Sequence, residues 1–72
     1  MSYTNKQKLS ALKRELSYRR YVYPQRVEQG KMTRAAMLDQ IGVFEEMQAD
    51  YEDLVMGDEQ REAEEQAKGR LL

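Results

Sequence analysis

Two side chains that carry much of the chemistry of small proteins are missing here: the chain has no cysteine and no histidine. Without cysteine there is no disulfide and no thiolate metal site. Without histidine the usual catalytic base and the commonest metal ligand are gone. The lack of cysteine also fits a reducing compartment. Proline occurs once, as Pro24, so breaks in regular structure are few. No apolar run approaches the roughly 20 residues of a membrane span. The first eight residues are polar and lack the apolar centre of a signal peptide. These absences point to a cytoplasmic chain that is not an enzyme. They leave no cofactor, no metal, no membrane and no small-molecule substrate to expect.

The 72 residues suffice for one domain at most. A chain this short buries only about 60% of its unfolded surface. With disulfides excluded, helix packing or a partner subunit has to supply the missing stability.

Charge is divided along the chain. Residues 1–34 hold nine Lys/Arg against Glu15 and Glu28, a balance of +7. Residues 35–72 hold eleven acids against Arg61, Lys68 and Arg70, a balance of −8. Such asymmetry marks a nucleic-acid contact, an acidic tail, or two halves that lie side by side and neutralise each other.

Leu9, Leu12, Leu16, Tyr23 and Val27 recur at helical spacing and predict a first helix over about 5–29. Thr4 or Asn5 is suited to cap it. The skipped position falls at Arg19 or Arg20, whose long stems can cover apolar surface. Pro24 cannot donate to the Arg20 carbonyl, so the helix is either kinked there or broken near Tyr21–Tyr23. The kink is favoured, because Tyr23 and Val27 stay in register with the leucines. Gly30 is a helix stop and Thr33 an N-cap for the next helix. So short a link makes antiparallel neighbours.

Met37, Leu38, Ile41, Phe44, Met47, Tyr51, Leu54 and Val55 form the stripe of a second helix. Gly42 inside it suggests a close approach by the first helix, and Gly57 an end or bend. The acidic segment 58–68 (DEQREAEEQAK) has no face to bury, and reads as a frayed solvated helix or a disordered tail. The expected fold is therefore all-α. It is an antiparallel two-helix hairpin over residues 1–57 with its first helix kinked at Pro24, followed by an acidic extension over 58–72. Its core would set Leu9, Leu12, Leu16, Tyr23 and Val27 against Met37, Ile41, Phe44, Tyr51 and Leu54. Two helices alone leave each stripe partly wet. A two-fold dimer forming a helical bundle is the simplest remedy.

The most unusual segment is Tyr18–Arg26 (YRRYVYPQR), where three tyrosines and three arginines interleave. Arginine forks grip phosphates and aromatic faces stack on bases. Tyrosine and arginine also concentrate in protein-binding hot spots. Tyr18, Arg19, Arg20, Tyr21 and Arg26 are thus candidate partner-binding residues, with a structural role for the same side chains as the plain alternative. A nucleic-acid module would use Lys13, Arg14, Arg19, Arg20 and Arg26. Asp39, Glu46 and Asp53 recur every seven residues on one exposed face. They read as a solvated face, or as the charged surface of a nucleic-acid mimic.

Arg19–Thr33 has the pattern R-R-x-V-Y-P-x-x-V-x-x-G-K-M-T, and an acidic tyrosine-containing stretch follows at Met47–Asp53 (MQADYED). It resembles small hypothetical proteins of bacteriophages and prophages, over about Leu9–Leu54. The resemblance implies a phage or prophage origin and action in a bacterial host cytoplasm. It transfers no activity and no functional residue. Small phage proteins often bind a host protein, so it implies a partner of host or phage origin and a modulating, inhibitory or anti-defence role.

Overall fold

The computed structural model describes residues 2–70, with side chains through residue 67. Two helices, α1 (Asn5–Glu28) and α2 (Arg34–Arg70), pack against each other as an antiparallel hairpin. Thr4 opens α1 with a reciprocal cap. Its hydroxyl accepts from the Gln7 N–H at 3.1 Å, and its own N–H donates to Gln7 Oε1 at 2.9 Å. Two otherwise unpaired donors of the first turn are thereby satisfied. The helix runs through Pro24 to Glu28, so the broken-helix alternative is not realised.

The reversal follows from one glycine. Gly30 sits at φ +73°, where a side chain is strained. Its N–H donates to the Val27 carbonyl at 3.1 Å, and that of Lys31 to the Arg26 carbonyl at 2.9 Å. This double closure consumes the last carbonyls of α1. Thr33 then caps α2, its hydroxyl accepting from the Ala36 N–H at 3.1 Å.

The helices meet along a narrow seam. From α1 come Asn5, Leu9, Leu12, Leu16, Arg19 and Tyr23. From α2 come Met37, Ile41, Phe44, Gln48, Tyr51, Val55 and Asp58. All are buried or half-buried, and the spacing alternates between four and three. The expected core is corrected at one layer. Leu54 is 49% exposed and Val55 takes its place in the seam, while Gln48 fills the layer between Phe44 and Tyr51. Leu38 and Met47 of the expected stripe are exposed too. A single facing helix covers only two positions in seven, so the wider stripe has nothing to pack on.

One further expectation is overturned, and another in part. Nothing of α1 approaches Gly42, where an added Cβ would meet open space. Gly57 neither ends α2 nor divides it, because the helix continues to Arg70. The acidic segment is therefore helical through residue 70. Leu71 and Leu72 of the expected tail lie outside the described residues. The glycines give opposite predictions. Gly30→Ala is expected to cost about 1 kcal/mol through its positive φ, whereas Gly42→Ala should gain up to about 1 kcal/mol by restricting the unfolded chain. Thermal melts followed by circular dichroism separate them, and shifts of the same sign would refute this account.

Among the described residues, only Leu9 and Leu16 are buried, at 8% and 1% exposure. The molecule measures 64 × 21 × 18 Å with a radius of gyration of 17.9 Å. A compact chain of this length would have about 11 Å.

Candidate interaction surface

A helix turns by about 100° per residue, so nine consecutive residues face every direction. The segment Tyr18–Arg26 is accordingly dispersed and is not a single surface. Arg19 points into the seam, its side chain only 15% exposed. Its Nε donates to Glu15 Oε1 at 3.0 Å, and its Nη1 to the Gln40 carbonyl at 3.0 Å and to Gln40 Oε1 at 3.3 Å. The guanidinium lies 3.6 Å from the centre of the Phe44 ring and 5.6 Å from that of Tyr23. Arg19 is therefore the residue at the skipped position of the α1 stripe. Stacking on two rings lets a cation fill an apolar layer.

Arg20 and Lys13 close one side of the seam. Arg20 Nη2 lies 3.9 Å from Glu45, and Lys13 Nζ 4.0 Å from Glu52. All four side chains are about half exposed, so each pair adds little stability. They nevertheless match the basic helix to the acidic one. Arg26 lies over the ring of Tyr23 at 5.6 Å. Of the five candidate binding residues only Arg19 is drawn into the seam; Arg20 and Arg26 are exposed but engaged with Glu45 and Tyr23, and Tyr18 and Tyr21 are 53% and 72% exposed.

These two tyrosines extend a row the sequence reading did not assemble. Gln7, Ala11, Arg14, Tyr18 and Tyr21 follow at steps of three or four along the outer face of α1, and Tyr3, just ahead of the helix, lies beside its start. A shallow hollow at its start is lined by Tyr3, Gln7, Lys8, Ser10, Ala11 and Arg14. Tyr3 is 69% exposed. The signal was the helical spacing back from Tyr18, hidden by the conspicuous run of neighbours in sequence.

Asp39, Glu46 and Asp53 are all exposed, on the α2 face turned away from α1. Asp39 and Glu46 border a shallow hollow with Leu38, Gly42 and Val43. Among the described residues, no three carboxylates come together in a way that holds a metal ion. Among them, too, no helix is long and apolar enough to cross a membrane.

The class these features define is an all-α helical hairpin whose two outer faces carry opposite charge. No family model, curated protein or solved structure matches the chain.

Proposed function

We propose that this chain is a non-enzymatic binding protein that engages a protein partner through the outer face of α1. The observation that carries this reading is the row of three tyrosines, each more than half exposed. Large aromatic groups left in water beside arginine are typical anchors of protein interfaces. The resemblance of Arg19–Thr33 to small phage and prophage proteins suggests the partner: a host or phage protein in the bacterial cytoplasm, modulated or inhibited on binding.

Affinity capture from a bacterial lysate tests the reading. Tyr18→Ala with Tyr21→Ala is expected to weaken capture at least about tenfold, with the helical signal unchanged. Undiminished capture would remove this face from consideration. Arg19 is unsuitable for such a test, because its removal also disturbs the seam.

A nucleic-acid module remains the competing reading. Lys13, Arg19 and Arg20 already face Glu52, Glu15 and Glu45, which disfavours it. Fluorescence anisotropy with labelled DNA and RNA decides the matter. Affinity that falls steeply with salt would replace the protein partner by a nucleic acid. Capture lost on neutralising Asp39, Glu46 and Asp53, with the tyrosines intact, would move the site to α2 and favour a nucleic-acid mimic.

A further inference from the structure

The two sides of the hairpin differ. One is closed by Lys13–Glu52 and Arg20–Glu45. Helical register places Val22 of α1, and Met47 and Leu54 of α2, on the other side, with Val43 one step further round. Met47 is 36% exposed, Leu54 49% and Val43 50%. Among the described residues, three of the eight exposed large apolar side chains thus share one side of a hairpin with two buried leucines.

We propose that a second copy of this chain covers that side, in a two-fold dimer where α1 of each protomer lies against α2 of its partner. Area supports a second copy. The chain exposes 6134 Å². A compact protein of its mass would expose about 4,700 Å². The excess, which includes the stretch of α2 beyond Asp58 with no α1 opposite it, leaves room for the roughly 800 Å² each partner contributes to a standard interface. Charge selects the arrangement. Helix α1 holds seven Lys/Arg against two acids, and α2 eleven acids against four Lys/Arg. Setting α1 on α1 of the partner would oppose like charges. A two-fold axis parallel to the helices sets α1 on α2 of the partner. Every helix then has only antiparallel, oppositely charged neighbours, and both turns lie at one end. The result is a four-helix bundle whose centre holds the side chains a lone hairpin leaves wet.

Sedimentation equilibrium over a range of micromolar concentrations tests the proposal. The expected mass is twice the 8.5 kDa of the chain. Met47→Glu with Leu54→Glu should return it to that of one chain, with helical content retained. Met56→Glu, at a position 59% exposed on the opposite side, should leave the dimer intact. Arrangement is read from a spin label at Lys31→Cys, since the chain has no other cysteine. Turns at one end give a short separation between labels. Turns at opposite ends lengthen it by about the span of α1, roughly 36 Å. A single-chain mass at every concentration, a dimer indifferent to the paired glutamates, a dimer lost in Met56→Glu, or the long separation would each overturn the proposal.

Discussion

Leu16→Ala is expected to lower the thermal unfolding midpoint by about 15 °C. Leu16 is the one fully buried side chain among the described residues, at 1% exposure. Truncating such a leucine costs about 2–5 kcal/mol, part in lost transfer energy and part in the cavity left behind. For a domain of this size, about 3 kcal/mol corresponds to a shift of roughly 12–24 °C. A chain of 72 residues has only roughly 4–10 kcal/mol in total. Leu12→Ala, one turn away and half-buried, should cost clearly less. The comparison requires one protein concentration throughout, since self-association adds stability by mass action. Equal shifts for the two variants would show that the seam is not centred on Leu16.

Arg19→Ala is the second large effect expected, at about 2 kcal/mol. The side chain supplies an apolar stem, stacking on Phe44 and two sets of hydrogen bonds, a combination worth about that much when largely sheltered from water. The acceptors need little from it. Glu15 is partly solvated, and the Gln40 carbonyl lies within α2. Packing, more than charge, is therefore what its loss removes. Arg19→Met keeps the volume and is expected to fall within about 1 kcal/mol of the parent. Arg19→Lys keeps the charge but loses the flat stacking surface, and should resemble the alanine variant more closely. Urea unfolding of the three variants gives the order. A lysine variant as stable as the parent would make charge the dominant contribution.

Much of the hairpin was legible because the local signals agree. Thr4, Gly30 and Thr33 sit where caps and the reversal require them. Leu9, Leu12 and Leu16 keep a spacing that only a helix brings to one face. The errors in the core have one physical cause. An apolar stripe read at steps of three and four is wider than one partner helix can cover. Leu38, Met47 and Leu54 therefore matched the pattern yet lie outside the seam, while Gln48 lies in it. Gly57 misled because a glycine costs a long helix only about 1 kcal/mol, which its neighbours outweigh. The candidate site was less legible than the fold. YRRYVYPQR drew attention as a run of neighbours, but binding surfaces on a helix are assembled from residues three and four apart. Tyr3 and Arg14 belonged with Tyr18 and Tyr21, and Arg19 belonged to the interior.

The single reversal at Gly30 also sets the order in which the molecule forms. Every contact across the seam closes a loop through that turn, and the loop lengthens steadily with distance from it. Arg19 and Gln40 are 21 residues apart in sequence, whereas Asn5 and Asp58 are 53 apart and meet at 3.0 Å. Closing the longer loop directly costs about 0.8 kcal/mol more in chain entropy. Assembly is therefore expected to propagate as a zipper from the glycine outward, through Arg19 and Leu16, to Asn5. Opening runs the other way. Within the paired part of the hairpin, backbone amides around Asn5 and Asp58 are expected to exchange with solvent before those of the layers nearer the turn.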